Sequence, residues 1–302
     1  MIYIFLIMIN ISSIFNLLAN NTEEWVTNIR KDLIKLKEKY VGIINKEGIS
    51  KEELMNFLNS GDCIIKEIGI SSFNINKSLK DAEEKKMLLE LLDDCCKNVS
   101  IDLIEKLRNC EDDSEFLEKI LTKTKDDDKN LRYFAILYIT DKENRVNFDY
   151  IKGFLDDSYW RIRERITYYI SKYGGKLNEN YIIKMLEDDS DNVKIAALTY
   201  FFKEKNEDAI IPIKKLLKSN NKEIIKYSIR ALGNQNDNEI FNQIKEFAYN
   251  DDYEIKRESI IAMGKSKNKE AKKFLEEFCK REKKDVENEC KWAINNLEKA
   301  NN

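Results

Sequence analysis

Acid–base and metal chemistry have few candidate residues in this sequence, because none of its 302 residues is a histidine. Histidine is the commonest general base and the commonest metal ligand in proteins. Aspartate and glutamate number 55, but they fall in predicted turns and on polar helix faces, and no arrangement isolates a pair in a cleft. We therefore predict that the chain is not an enzyme and uses no cofactor and no metal.

Two short motifs combine residue types that bind phosphates or bases. Gly264-Lys265-Ser266 is similar to the end of a phosphate-binding loop, but the required upstream glycine is Ser259 and no strand precedes it. We interpret it as an inter-helix turn. Trp160 opens the basic stretch Trp160–Arg165, in which a ring and guanidinium groups could stack on a base and hold phosphate. The stretch resembles part of the HEAT-like alkylpurine DNA glycosylases.

The basic residues of that stretch also have a structural interpretation. Arg163 belongs to one column of an evenly spaced series that also contains Arg132, Lys194 and Lys256. Residues 128–302 carry 34 basic against 31 acidic residues, a weak excess for a nucleic-acid-binding module. The sequence favours a structural role for Arg163, and nucleic acid is a disfavoured partner.

A series of lysines is the main candidate binding surface. Each lysine lies one or two residues after an apolar residue that recurs with the same period, so the series is predicted to follow one face of successive helices. Acidic peptides or helices are natural ligands for such a row. A solvated face in a lysine-rich protein is the alternative. The candidate partner-binding residues are Lys152, Lys184, Lys214, Lys215, Lys245 and, more weakly, Trp160.

These candidates are positioned by an internal 31-residue repeat. One apolar column consists of Leu131, Ile162, Val193, Ile224, Ile255 and Val286. Four positions later the column is mostly small, with Ala135, Ile166, Ala197, Ser228, Ser259 and Cys290. Spacings of this kind keep one helical face, and short side chains let stacked helices approach closely. We name this helix A.

A second helix, helix B, follows helix A in each unit. Its buried column is predicted to be Ile151, Ile182, Ile213, Ile244 and Leu275. Glycines after helix A, such as Gly175, Gly233 and Gly264, are predicted to end it in a left-handed conformation. Acidic or polar corners between units, such as Asp127-Asp128 and Asp188-Asp189, are predicted to cap the next helix A.

The repeat resembles that of a known family. The pattern Asp-x-x-Ile-Lys-x-x-Ser-Ile-x-x-Met-Gly, from Asp252 to Gly264, resembles HEAT repeats, specifically the short variety of phycobilisome-lyase-like HEAT proteins. Residues 208–217 look like that family's second helix, with Pro212 in its first turn. The resemblance covers residues 128–302 and implies that the B helices line a concave side. The family includes chaperone-like subunits, adaptors, transport factors and a few enzymes, so it does not fix a function.

Fold class and domains follow from the repeat. The sequence predicts an all-α protein: a right-handed α-solenoid of about six HEAT-like hairpins with a helical N-terminal cap. Residues 21–127 form the predicted irregular helical region, with a helix at Trp25–Tyr40 and a capping box at Ser50–Glu53. Residues 128–302 form the predicted repeat domain. The expected function is a scaffold that binds a protein partner along the concave helix-B face.

Residues 1–20 form a candidate signal peptide or apolar N-terminal segment. Residues 1–19 are uncharged, with Leu17 and Ala19 at plausible cleavage positions, but the basic flank of an export signal is missing. A cleaved signal, a membrane anchor and a docked helix all stay open. Export or a cell-envelope location is slightly favoured over the cytoplasm, and an exported structural subunit is an alternative function. Membrane contact is expected only through residues 1–19, if they are retained.

Six cysteines leave the redox compartment open. They are sparse for 302 residues and show no CxxC pairing. Most are predicted to be small apolar core residues, and the alternative is a disulfide of Cys95 or Cys96 with Cys110 in an exported chain.

Overall fold

A computed structural model describes residues 50–302, apart from residues 142–145, 176–177, 236–237, 267, 283–285 and 301–302. Throughout this part of the chain the regular structure is helical, with no strand, as the sequence predicts. The predicted apolar segment at residues 1–20 and the predicted helix at Trp25–Tyr40 lie outside the described residues. Among the helices that are described, none has both the length and the apolar character needed to cross a bilayer.

The chain divides into two compact units, residues 1–145 and residues 146–302. In the first unit the helices are α1 (Lys51–Leu58), α2 (Cys63–Ser72), α3 (Ile75–Ser78), α4 (Ala82–Leu91), α5 (Lys97–Leu107), α6 (Ser114–Lys123) and α7 (Lys129–Thr140). The domain boundary predicted between residues 127 and 128 stays a prediction.

The second unit contains ten α-helices and one 3-10 helix among its described residues. They are α8 (Phe148–Lys152), α9 (Trp160–Tyr173), α10 (Glu179–Met185), α11 (Asp191–Tyr200), α12 (Glu207–Leu216), α13 (Lys222–Leu232), α14 (Asn238–Ile244), the 3-10 helix Lys245–Tyr249, α15 (Tyr253–Lys265), α16 (Lys269–Arg281) and α17 (Glu287–Ala300). Helix α12 begins before Asp208, so Pro212 is its sixth residue rather than part of its first turn.

The 31-residue period of helix A is confirmed. Helices α7, α9, α11, α13 and α15 begin at residues 129, 160, 191, 222 and 253. The first apolar column and the small column of these helices are buried, from Leu131 and Ala135 through Ile255 and Ser259. Within the second unit each helix A packs directly on the next, from α9 to α17. The small column therefore lies inside the stack, and its member Ser259 donates a hydrogen bond to the carbonyl oxygen of Ile244 on helix B.

Glycine serves two different purposes after helix A. Gly175 has a φ of 61°, the left-handed conformation that was predicted. Gly233 instead has a right-handed φ of −60°, and Gly264 lies inside α15, so the left-handed prediction is wrong for both. A Cβ at Gly233 would lie 2.5 Å from the Cβ of Ala262, and one at Gly264 would lie 2.6 Å from that of Ala293. These two glycines are required by close helix packing.

The corners cap helix A in three of the five predicted places. The side chains of Asp128, Asn221 and Asp252 each accept backbone N–H groups of the helix that follows. At the other two corners the capping prediction is wrong, because the N-cap residues Tyr159 and Ser190 make no side-chain cap. The carboxylates of these corners have other partners.

The first unit repeats the alternation of helices but not the fixed period. Helix α1 starts with the predicted capping box of Ser50 and Glu53. Helices α2, α5 and α7 pack on one another in turn, as helices A do in the second unit. They begin at positions 63, 97 and 129, so the first interval is longer than the second and both exceed the period of the repeat. The unequal spacing explains why this region has no register with the repeat.

Four of the six cysteines form disulfides, which corrects the prediction. Cys63 pairs with Cys96, and Cys279 pairs with Cys290. Neither Cys95 nor Cys96 pairs with Cys110, whose buried thiol lies 3.5 Å from the carbonyl oxygen of Lys106. Cys96, Cys110 and Cys290 are buried, as predicted for core residues. Two of these buried cysteines, Cys96 and Cys290, are nevertheless disulfide-bonded.

Candidate functional site

The predicted lysines all lie on helix B, or directly after it, in the second unit. Lys152 ends α8, Lys184 lies in α10, Lys214 and Lys215 lie in the last turn of α12, and Lys245 opens the 3-10 helix after α14. The buried column of helix B fixes this placement, since Ile151, Ile182, Ile213, Ile244 and Leu275 are all at most 2% exposed. The lysines follow these anchors by one or two residues.

Two of the lysines form exposed ion pairs with the preceding repeat of the same compact unit. The Nζ of Lys184 lies 2.7 Å from Asp156, and that of Lys215 lies 3.1 Å from Glu187. Both carboxylates lie 28 residues before their lysine, at the corner that follows the preceding helix B. The lysine side chains remain 57% and 66% exposed. The helix-B face therefore carries alternating positive and negative groups rather than lysine alone.

The flanking lysines have local partners. Lys152 lies 2.5 Å from Asp149 and above the ring of Tyr181, and hydrogen bonds to these two residues raise the pKa of Lys152 above its ordinary value. Lys245 donates to Asn242 at 3.0 Å and lies 5.6 Å from the ring centre of Phe241. Lys214 is half-buried. These contacts hold the ammonium of Lys245 near its own helix and that of Lys152 between α8 and Tyr181 of α10.

A cavity of about 480 Å³ opens beside Lys184, between the corner after α8 and the corner after α10. Leu155 and Met185 supply its apolar lining. The charged residues that line it are Asp156, Asp157, Arg163, Lys184, Glu187, Asp188 and Asp189. With five carboxylates against two cations, the lining of the cavity carries an excess of negative charge.

Arg163 organises the wall of the cavity. Its guanidinium donates to both oxygens of Asp188, at 2.7 and 2.8 Å, and to the backbone carbonyl of Asp157 at 2.8 Å. The side chains of Arg163 and Asp188 are only 10% and 6% exposed. Burial alone would raise the pKa of Asp188. The hydrogen bonds from Arg163 and from the Ser190 N–H lower it by more than burial raises it, so the pKa lies below its ordinary value.

The structural interpretation of the basic column is confirmed at two positions. Arg163 connects the corner before its own helix, at Asp157, with the corner before the next helix A, at Asp188. In the first unit, Arg132 donates to the backbone carbonyls of Asp126 and Asp127 at 2.8 and 3.1 Å. Both guanidinium groups satisfy carbonyl groups where the chain changes direction.

Trp160 lies at the start of α9 and is half-buried. The guanidinium of Arg161 lies 5.5 Å from its ring centre, and the ring of Tyr159 lies 6.3 Å away. The chain immediately before these residues contains the acidic corner of Asp156 and Asp157. Basic and acidic groups thus alternate around Trp160.

The phosphate-loop motif forms the end of a helix rather than the predicted inter-helix turn. Gly264 and Lys265 are the last two residues of α15, and Ser266 is its C-cap. Gly264 is buried against Ala293, which leaves no room for a phosphate at its backbone.

The carboxylate side of this face was missed by sequence reasoning. The acidic doublets at the corners were interpreted as helix caps, but Asp188 instead binds Arg163 and Asp156 instead binds Lys184. The sequence did contain a signal for this ion pair. Arg163 occupies the same repeat position as Lys194, and the acidic doublet Asp188-Asp189 begins 25 residues after Arg163. A buried arginine needs a carboxylate partner, and that doublet supplies one from the corner before the next helix A.

Comparison with known proteins identifies the repeat. Residues 210–295 match the family described as HEAT repeats. No curated protein matches the chain in sequence.

Three solved structures show the same type of fold at low identity. YibA from Escherichia coli superposes with a TM-score of 0.64 at 14% identity, covering 87% of this chain and 96% of its own. An engineered protein gives 0.56 at 15%, covering 95% and 88%. Importin beta gives 0.51 at 10%, covering 93% of this chain and 46% of its own. At these identities the likeness concerns the fold alone.

Proposed function

Residues 210–295 match HEAT repeats, and on that premise we propose that the chain is a non-enzymatic scaffold that binds a protein partner along its helix-B face. One observation carries the proposal: the exposed Lys184–Asp156 and Lys215–Glu187 pairs repeat in the same register. Solenoid repeats present such extended surfaces to partners. A row of fixed charges on one face supplies the register and specificity that recognition needs.

The chemistry of the face defines the partner. Lysines that are more than half exposed can exchange an internal carboxylate for one of a partner at little cost, since exposed ion pairs contribute at most about 1 kcal/mol. The corner carboxylates beside Lys184 repel a uniformly acidic segment. The partner that fits is an acidic peptide or helix that also presents a basic side chain toward the cavity next to Arg163.

Charge reversal followed by charge swap tests the proposal. The Lys184→Glu/Lys215→Glu variant is compared with wild type in an affinity pull-down from the native organism. Since the reversal places like charges opposite each other, we expect recovery of the partner to fall at least about tenfold. A quadruple variant that adds Asp156→Lys and Glu187→Lys restores the internal pairs but reverses both signs, and we expect it to stay defective.

The control is Lys222→Glu, because Lys222 is exposed and ion-paired to Asp252 but lies on helix A. It should recover the partner like wild type. Unchanged recovery with the double variant, or full recovery with the quadruple variant, would show that these lysines serve only the internal pairs.

Nucleic-acid binding and an exported structural role are the alternatives. The stacked Trp160 and Arg161 favour the first, but the acidic corner next to them weakens a phosphate site. Electrophoretic retardation of single- or double-stranded DNA at low salt, lost in Trp160→Ala/Arg161→Ala, would support it. The second depends on residues 1–19, and N-terminal sequencing of the natural product distinguishes a cleaved from a retained segment.

A further inference from the structure

Three cysteines and one aspartate meet where two hairpins of the first unit adjoin. Cys63 is the first residue of α2, and Cys96 is the N-cap of α5. Asp94 and Cys95 lie directly before Cys96 in the corner after α4. Because α2 and α5 pack on one another, all four side chains come together. We name Cys63, Asp94, Cys95 and Cys96 the corner cluster.

Three ligand atoms of the corner cluster, those of Asp94, Cys95 and Cys96, have spacings close to those of a tetrahedral site. The Sγ atoms of Cys95 and Cys96 are 3.9 Å apart, and the Sγ of Cys95 is 3.7 Å from the Oδ1 of Asp94. The ligand atoms of Asp94, Cys95 and Cys96 all lie within 4.8 Å of one another. A tetrahedral zinc ion with Zn–S bonds of about 2.3 Å requires sulfur atoms separated by about 3.8 Å. The fourth ligand, Cys63, is bonded to Cys96 in the disulfide.

Asp94 is oriented by its other contacts. Its Oδ1 accepts the backbone N–H of Cys96 at 2.8 Å, and Lys66 forms an ion pair with Oδ2. Hydrogen bonds of this kind fix the position of metal-ligating carboxylates. The thiol of Cys95 donates to the same Oδ1 at 3.7 Å. Lys66 offsets charge on the carboxylate through Oδ2, and a metal ion would replace the thiol proton of Cys95 next to Oδ1.

We propose that the reduced corner cluster is a site for a thiophilic divalent cation, in particular Zn²⁺, held by Cys63, Cys95, Cys96 and Asp94. Reduction transfers two electrons and two protons from a dithiol to the Cys63–Cys96 disulfide, and the dithiol becomes the oxidised product. Zn²⁺ then replaces the protons of the three thiols. Cys63 and Cys95 are exposed, which gives the ion a path from solvent. The disulfide and the bound metal exclude one another.

Competition for Zn²⁺ against a chromophoric chelator tests the site. The full chain is reduced with a phosphine, which is not a thiol ligand, and is compared with the oxidised chain. We expect one equivalent of Zn²⁺ per reduced chain with a Kd below about 1 nM, and no competition by the oxidised chain. Equal binding by both forms, or none by the reduced chain, would overturn the proposal.

Matched thiol variants locate the ligands. Cys95→Ser leaves both disulfides intact and should weaken Zn²⁺ binding at least about 100-fold, whereas Asp94→Asn should weaken it about tenfold. Cys110→Ser and Cys279→Ala/Cys290→Ala should leave binding unchanged, because these thiols lie outside the cluster. A loss in Cys110→Ser equal to that in Cys95→Ser would refute the assigned ligand set.

Cobalt substitution reports on the ligands without any variant. Co²⁺ in the reduced wild-type chain should give tetrahedral absorption bands and sulfur-to-cobalt charge-transfer intensity for three thiolates. Intensity for two thiolates or fewer, or an octahedral spectrum, would contradict the proposed site even if a variant failed to fold.

Discussion

The two units connect successive hairpins with different mixtures of lysine and arginine side chains. In the first, lysines reach aspartates of the following hairpin, as in Lys51–Asp81, Lys85–Asp113 and Lys97–Asp126. In the second, arginines bind carboxylates that are nearly inaccessible to water, as in Arg163–Asp188 and Arg230–Glu258. Arg108–Asp141 shows that the first unit also accepts one arginine fork.

The difference agrees with the regularity of the two units. An ammonium group is a point charge on a flexible stem, whereas a guanidinium fork requires a fixed geometry. The first unit, whose helices start at unequal intervals, uses the tolerant group. The second unit has a fixed period and adds the demanding group to its exposed lysine pairs, together with close glycine–alanine contacts. If stability follows this division, the buried arginine links should contribute most and the exposed lysine links least.

The largest effect is expected from Arg163→Met. It leaves the carboxylate of Asp188 buried without its partner, and breaking one side of a buried pair costs about 3 to 5 kcal/mol. Urea unfolding followed by helical circular dichroism measures the change. Arg161→Met, at an exposed position one turn from the same corner, is the control and should change stability by less than about 1 kcal/mol. A loss below about 1 kcal/mol at Arg163 would argue against the fork as a stabilising contact.

The same pair predicts a dependence on pH. Because the pKa of Asp188 is lowered in the folded chain, its contribution is complete above the ordinary aspartate pKa and is lost as the pH falls through the folded value. The stability difference between wild type and Arg163→Met should therefore shrink in acid. Unfolding curves at neutral and acidic pH measure it, and a constant difference would contradict the assigned ion pair.

The disulfides rank next and differ between the units. Cys63 and Cys96 are 33 residues apart, whereas Cys279 and Cys290 are 11 apart. Loop-closure entropy predicts losses of about 4 kcal/mol for Cys63→Ala/Cys96→Ala and about 3 kcal/mol for Cys279→Ala/Cys290→Ala. Unfolding free energies of the two variants measure this. The reverse order would mean that native packing, rather than the unfolded chain, controls the effect.

A smaller loss is expected for Gly264→Ala. Alanine favours helix, but its Cβ would lie 2.6 Å from the Cα of Ala293, so α15 and α17 must separate. Overpacking of this kind costs about 1 to 3 kcal/mol. The control is Gly61→Ala in the first unit, where no atom lies within 4 Å of the added Cβ. A variant at Gly264 that is as stable as wild type would show that the helices can shift freely.

The smallest effect is expected for Lys85→Met. Its ammonium lies 2.8 Å from Asp113 and 2.9 Å from Glu115, but these carboxylates remain accessible to solvent. Such pairs contribute up to about 1 kcal/mol and weaken with salt. Thermal unfolding at low and high salt measures the change. A loss as large as that of Arg163→Met would remove the distinction between the two kinds of link.

The sequence predicted the second unit well because its period is fixed. Columns such as Ile162 and Ile224 could be aligned without gaps, and the helices begin where the columns place them. The hairpins of the first unit could not be aligned, since α3 is an additional short helix and the spacing changes. Without a register, the proximity of Cys63 and Cys96 could not be inferred.

The candidate face was predicted only in part, for a physical reason. The lysine positions follow from helix periodicity, which is local. Their carboxylate partners depend on the offset between neighbouring hairpins, which a column alignment does not contain. Gly233 and Gly264 were misinterpreted for the same reason: Gly233, the C-cap of α13, keeps a right-handed conformation because it packs against Ala262 of another helix.

The glycine–alanine contacts repeat the same fit along the last helices. Gly233, the C-cap of α13, packs against Ala262 of α15, and Gly264 of α15 packs against Ala293 of α17, so α15 carries both halves of this fit. If the repeat that follows Gly233 and ends with Gly264 were deleted, Gly233 would take the place of Gly264 opposite Ala293, and the same glycine–alanine contact would form. At this end the glycine–alanine contacts between successive helices A would therefore keep the same fit if one unit were gained or lost by recombination.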